Sequence, residues 1–360
     1  MKTSASIRAQ LVRERPASGL LGMAERGHLP DALLRQGIRR LCAQRLCEEQ
    51  AGGLDAQATR FAERIAMLRS SPIAIHTDAA NTQHYELPPA FFELCLGTRL
   101  KYSGCYYPRG DESLDQAEEA MLALYGERAE LADGQSILEL GCGWGSLTLW
   151  MAERFPQSRI TAVSNSKPQR EHIETQCHER GLTNVRVLTC DANLLDLEAA
   201  QFDRCLSIEM FEHMRNYEVL LQRIARWLRP GGKLFVHIFA HKTLMYPFET
   251  EGDDNWMGRH FFTGGLMPAS DTLLWFQTSL NIEQRWQVDG THYSRTANHW
   301  LANQDARRDP VMEVLGQAYG AKAAPLWFQR WRMFWMSCAE LFGYAGGKEW
   351  LVAHYRFARR

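Results

Sequence analysis

Three things this 360-residue chain lacks narrow what it can be. Its nine cysteines are scattered, odd in number and form no CxxC pair, which argues against a disulfide framework or a zinc site and for reduced thiols in the cytoplasm. No apolar run comes near the ~18 residues that a membrane-spanning helix needs. The formal net charge is only −1, which excludes a general nucleic-acid binder or an acidic scaffold. The Arg-rich start, "MKTSASIRAQLVRERPASG", lacks the apolar stretch of a secretory signal and gives no argument for a transit peptide. Repeats and low-complexity tracts are missing too. Aromatics are abundant: 11% of residues, with 11 Trp, enough for a core and for a pocket that takes a flat or apolar ligand.

Residues 1 to about 75 read as helical. Pro30 and Asp31 mark a helix start, and Leu34, Ile38 and Leu41, then Phe61, Ile65 and Leu68, recur at helical spacing. Excess Arg here fits a solvated face, or contact with a membrane surface or partner. Residues 76–112 are irregular and aromatic. Ser113 and Gln116 then form a capping box. From residue 136, "SILELGC", "RITAVSN", "VRVLTCD", "FDRCLSIE" and "KLFVHIF" read as strands with helices between them, the last helix stopping at "RPGG". That alternation predicts right-handed crossovers, a parallel sheet, and ligands outside the carboxyl ends of its strands. Residues 240–280 read as an insertion rather than sheet, "NIEQRWQV" as a sixth strand, 296–342 as a helical stretch and "EWLVAHYRFAR" as a last strand. The expected division is a helical extension and cap over 1–112 and an α/β domain over 113–360, with cap insertions at about 240–280 and 296–342.

The segment "LELGCGWGS" runs from a strand through Gly141, Gly143 and Gly145 into a helix. Such a turn lets a ligand approach backbone closely and meet the helix N-terminus. The pattern is GxGxG, not GxGxxG, and no Lys-Ser or Lys-Thr follows, so a P-loop is excluded. Glu139, just before the first Gly, would repel a triphosphate and favour a cationic cofactor. Asp191 in "TCDA" ends the third strand, in reach of an adenine amino group. A cofactor with adenosine and a positive charge is S-adenosylmethionine.

Long motifs carry a resemblance: "HYELP", "LKYSGCYY", "ELGCGWGSL", "SNSKPQ", "SIEMFEHM", "LFVHIFAHKT", "DDNWMGRHFFTGGLMP", "HYSRT" and "ELFGY", spanning about residue 80 to the end. The chain resembles the class I S-adenosylmethionine-dependent methyltransferases, in their cyclopropane-fatty-acid-synthase-like branch, and within it the plant coclaurine N-methyltransferases, which methylate benzylisoquinoline amines. This implies a Rossmann-like, seven-stranded, mostly parallel sheet with an N-terminal helical extension and a helical substrate cap. It implies a cofactor site of Tyr102, Ser103, Glu139, Gly141, Gly143, Asn165, Gln169, Asp191 and Ala192. Many class I enzymes end the second strand in an acid that binds the ribose; here "VSNS" stands there, and the branch gives that role to Ser164 or Asn165 with Gln169.

Methyl transfer needs nucleophile, methyl and leaving sulfur in line, with water excluded. An amine must also be neutral to attack. "SIEMFEHM" follows the fourth strand, which puts Glu209, Glu212 and His213 at the cofactor mouth; the resemblance makes Glu212 and His213 the acid/base pair and Glu209 a wall of the site. Tyr85, Tyr106, His237, Trp256, Phe261, Tyr293 and Trp331 are the candidate substrate contacts, although the Trp327, Trp331 and Trp335 stripe also fits a core face. The acidic "ETEGDD" fits either an attractor of cationic amines or a solvated loop. No metal is expected. The alternative is cyclopropanation of an unsaturated lipid chain, for which relatives use bicarbonate held partly by the Cys of a "YSCAY"-like motif. Here "YSGCY" puts Gly104 in that place and Cys105 one residue on, while His237, Tyr293 and Glu212 match other parts of that site; the missing Cys favours nitrogen methylation. The expected partner is a small-molecule amine, with no nucleic acid, a membrane lipid only under the alternative, and a homodimer left open.

Overall fold

The computed structural model describes residues 16–75 and 87–359. The first fifteen residues, with most of the Arg-rich start, and the candidate Tyr85 lie outside the described residues. Three helices come first: α1 (Gly19–Glu25), α2 (Asp31–Gln50) and α3 (Gly53–Ser70). The stretch before residue 112 contains a short helix, α4 (Pro89–Cys95). The next helix, α5 (Leu114–Arg128), opens on the expected capping box, with Gln116 N donating to Ser113 Oγ (3.3 Å) and Ser113 N to Gln116 Oε1 (3.0 Å).

The α/β alternation follows: β1 (Ser136–Leu140), α6 (Ser146–Arg154), β2 (Arg159–Ser164), α7 (Lys167–Glu179), β3 (Val185–Thr189), β4 (Phe202–Ile208), α8 (Tyr217–Trp227) and β5 (Leu228–His241). Every residue of β1 is buried, as a central strand covered on both faces should be. The apolar face of α8 buries Tyr217, Leu220, Leu221 and Ile224. This helix does end before "RPGG", but those residues join β5: Leu228 pairs with Phe202 and Lys233 with Arg204, so Arg229 to Gly232 bulge between the two registers.

The 240–280 insertion is not free of strand. It holds a small antiparallel pair, β6 (Tyr246–Pro247) with β7 (Leu266–Met267), and between them α9 (Trp256–His260). After β8 (Leu280–Val288), the expected single helical stretch is three helices: α10 (Gly290–Ala306), α11 (Arg308–Tyr319) and α12 (Ala324–Gly343). Pro310 and Pro325 sit in the first turns of α11 and α12, and Gly320, at φ +90°, ends α11. The last strand is β9 (Trp350–Arg359).

The seven strands order as β3-β2-β1-β4-β5-β9-β8, parallel except for β9, which runs antiparallel to both β5 and β8. The order reverses between β1 and β4, which opens a crevice at their carboxyl ends. Among the described residues no helix is long and apolar enough to cross a membrane.

Candidate active site

The crevice begins where β1 becomes α6. Gly141, Gly143 and Gly145 all have positive φ, at +78°, +52° and +84°. Two of them are also needed for packing: a Cβ at Gly141 would lie 2.8 Å from Met210 Cβ, and one at Gly145 2.7 Å from Ile173 Cγ1. At Gly143 a Cβ would meet nothing within 4 Å, so this glycine leaves open space in the wall of the cleft.

Of the expected cofactor residues, Tyr102, Ser103, Glu139, Gly141, Gly143, Asn165, Gln169 and Ala192 line one cleft. Asp191 does not. Its Oδ1 accepts from Asn193 N at 2.7 Å and closes the turn after β3, leaving the neighbouring Cys190 and Ala192 in the wall. Lys101, Trp144, Ser146 and Met210 also line the cleft and were not expected from the sequence. Ser146 is the first residue of α6, and its place after the Gly-rich turn was the available signal.

The residues present fit an adenosyl sulfonium. Gln169 takes a hydrogen bond from Ser164 Oγ on its Oε1 (2.6 Å), but its Nε2 is buried without a partner, as are Ser146 Oγ and Trp144 Nε1. Orphaned buried polar atoms are costly unless a ligand takes them up. Glu139 is buried, bonded by Thr148 Oγ1 at 2.5 Å, and burial pushes its carboxyl up to about 8. A nearby cation would restore its charge. We expect Gly143→Ala to weaken donor binding at least about tenfold in calorimetric titration, while αL strain costs stability only about 1–2 kcal/mol. Unchanged affinity would remove the Gly-rich turn from the donor site.

Beyond β4 the chain makes a one-turn 3₁₀ helix, Phe211–His213. Glu209 precedes it at φ +46°, a conformation that a glutamate rarely adopts and that marks a position held by its surroundings. What holds it is a convergence of donors. Gly104 N donates to Glu209 Oε1 at 2.9 Å, His237 Nε2 lies 3.0 Å from the same oxygen, and the Tyr293 hydroxyl donates to Oε2 at 2.7 Å. Burial pushes the Glu209 carboxyl up; the Lys101 charge and these hydrogen bonds pull it back. Lys101 is itself buried, with Nζ donating to Ser103 Oγ and Gly104 O, each at 2.6 Å.

The three groups of "SIEMFEHM" are therefore placed differently from one another. Glu209 and His213 line the cleft. The His213 ring stacks on Phe262, with centroids 5.7 Å apart, and burial lowers its pKa to about 4, which leaves a neutral imidazole. Glu212 is not among the lining residues; it is buried, Oε2 has no hydrogen-bond partner, and burial beside Glu209 holds its carboxyl well above the usual range. The carboxylate that meets His237 and Tyr293 is Glu209.

The expected substrate wall divides as well. His237 and Tyr293 reach the cleft through Glu209 rather than lining it. Tyr106 packs against His292 outside the cleft. Phe261 and Trp331 are fully buried at 0%, and Trp256 donates its Nε1 to Glu25 at 3.0 Å, so these three belong to the aromatic core joining α1, α9 and α12. No group of three or more His, Cys, Asp or Glu among the described residues is arranged to hold a metal.

The Rossmann-like sheet and its Gly-rich cradle are those of a class I S-adenosylmethionine-dependent methyltransferase, as the likeness to an SAH-bound N-methyltransferase shows. The profile of the family described as mycolic acid cyclopropane synthetase matches residues 74–346, and the chain belongs to that family. It is 37% identical to an (S)-coclaurine N-methyltransferase of Thalictrum flavum subsp. glaucum, over 95% of each chain. It is 36% identical to the (S)-coclaurine N-methyltransferase of Papaver somniferum, over 95% of this chain and 98% of that one. A crystal structure of a coclaurine N-methyltransferase bound to N-methylheliamine and SAH superposes with a TM-score of 0.90 at 38% identity, covering 94% of this chain and 98% of that one.

Proposed function

We infer that this chain transfers a methyl group from S-adenosylmethionine to the nitrogen of a small aromatic or heterocyclic amine. The observation that carries the reading is the Glu209 carboxylate at the meeting point of Gly104 N–H, His237 and Tyr293. It supplies a fixed negative acceptor on the cleft wall, suited to an amine that arrives as a cation. Its place also speaks against the lipid alternative: the chain's own carboxylate fills the point that an external anion would need. A side chain at position 104 has little room, since a Cβ there would lie 3.0 Å from the Tyr293 ring. The names of the relatives given above point the same way.

When bound, S-adenosylmethionine supplies an electrophilic methyl on a sulfonium. Tyr102, Ser103, Asn165, Gln169 and Ala192 hold the donor, with Glu139 facing its charge and the glycines giving it room. Glu209 orients the amine nitrogen. The apolar surroundings favour the uncharged amine by desolvation. His213, neutral at the cleft wall, takes the amine proton, and Glu212 backs the same turn. The helices before residue 112 and the 240–280 and 296–342 insertions act as a cap that keeps water out. Nine cysteines without a disulfide support a cytoplasmic location.

The test is a methyl-labelled donor offered with secondary and tertiary amines, aromatic heterocycles and unsaturated phospholipids. Label on an amine nitrogen is expected. Label on carbon or oxygen of an aromatic, with none on nitrogen, would overturn the amine reading.

A further inference from the structure

One arm of the Glu209 cluster leads away from the cleft. His237 on β5 faces His354 on β9 across the antiparallel register, with His354 Nε2 2.9 Å from His237 Nδ1. Behind it, Arg128 Nη1 at the end of α5 lies 2.6 Å from His354 Nδ1. Both imidazoles are fully buried, at 0% exposure, while the Arg128 guanidinium packs over Trp286 with 5.0 Å to the ring centroid.

A guanidinium can only donate. His354 Nδ1 must then accept, so the proton of a neutral His354 sits on Nε2. That N–H donates to His237 Nδ1, which leaves the His237 proton on Nε2, where it donates to Glu209 Oε1. The Tyr125 hydroxyl is 2.9 Å from the same Nδ1 and shares its single lone pair as the second donor of a three-centre hydrogen bond. Burial holds both imidazoles well below the usual histidine range, so neither carries a second proton near neutral pH.

We propose that Arg128 and His354 are positioning residues: acting through His237, they impose a one-way chain of hydrogen bonds that keeps Glu209 an acceptor turned toward the amine. The role given to Glu209 rests on the reading above; the tautomers do not. Without Arg128, His354 is free to reverse. His237 can then carry its proton on Nδ1, donating to Tyr125, and its bare Nε2 is satisfied only by a protonated Glu209. The other charged or titratable groups around Glu209 are Lys101 and Cys105 from the segment before α5, Tyr125 on α5, Tyr293 on α10, Cys338 on α12, and Glu212 and His213 on its own turn. Arg128→Met leaves all of these side chains in place and, among them, removes a neighbouring charge only from Tyr125.

Histidine-selective ¹⁵N NMR on the full chain reads the tautomers directly, with His237 and His354 assigned by single substitution. The wild type is expected to show both neutral with the proton on Nε2 across about pH 6–9. In Arg128→Met the His237 proton is expected to shift toward Nδ1, and the acid limb of kcat/KM for the amine to rise by about one pH unit, a tenfold change in the acid constant. Donor affinity should stay within about threefold. Arg128→Lys, which keeps a cationic donor, should restore tautomer and profile. An Nδ1 proton on His237 in the wild type would overturn the proposal, even if the variant does not fold. A wild-type tautomer and pH profile in folded Arg128→Met would do the same. A wild type that methylates no amine but carries the expected tautomers would sink the amine reading and leave the relay standing.

Discussion

Glu209→Gln lowers kcat/KM for the amine by about 10²–10³-fold, with donor affinity changed less than about tenfold. The size of the effect follows from the charge, since the shape is nearly kept. In the wild type, Oε1 takes two donors, Gly104 N and His237 Nε2, and Oε2 takes the Tyr293 hydroxyl. A glutamine has one oxygen. If it faces Gly104 and His237, its amide group faces Tyr293 and the cleft, where it presents hydrogens to a cationic amine. If it turns round, three donors crowd together. Either way the fixed negative acceptor is lost. Steady-state rates with an amine, paired with calorimetry of the donor, separate the two effects; a wild-type kcat/KM would remove Glu209 from amine handling.

His213→Ala lowers kcat by about 10–10²-fold, less than the ~10²–10⁴-fold of a base whose pKa matches the working pH, because burial makes this imidazole a weak base. Burial, and next the Arg215 charge, lower the His213 pKa to about 4. A base must be uncharged to accept a proton, so this requirement is met above about pH 4 and lost as pH falls through it. The imidazole should therefore set no limb of the kcat/KM profile between about pH 5 and 8. In His213→Ala the rate should recover as pH rises, because hydroxide and solvent then supply the neutral amine. Glu212→Gln should act in the same direction. It removes the acid whose Oε2 lies buried and unpartnered beside Glu209. Unchanged turnover in both variants would take this turn out of the proton handling.

The sheet was legible because each strand–helix alternation is local. β1 is a short apolar run, its Gly-rich turn demands positive φ, and α6 follows at once. Most of the cleft wall came with it, since those residues sit at strand ends. Three parts were hidden for different reasons. Asp191 occupies the expected place, but a short polar side chain after a strand often closes its own turn, and here it bonds Asn193 N. Trp256, Phe261 and Trp331 could be wall or core by spacing alone, and only the packing of α1, α9 and α12 decides for the core. Glu209 and Glu212 are three residues apart, and which one meets His237 depends on Glu209 taking φ +46°, which no propensity anticipates. His354 left no mark at all: it is 117 residues from His237, and only the β5–β9 register joins them.

A competition between an amine and a lipid decides which acceptor the methyl group reaches. The purified full chain is given a trideuteromethyl donor with equimolar amounts of a secondary cyclic arylalkylamine and vesicles of a monounsaturated phospholipid, and both are read by tandem mass spectrometry. Intact trideuteromethyl on the amine nitrogen and unlabelled acyl chains are expected. Acyl chains that have gained a labelled methylene, with no label on nitrogen, would contradict it.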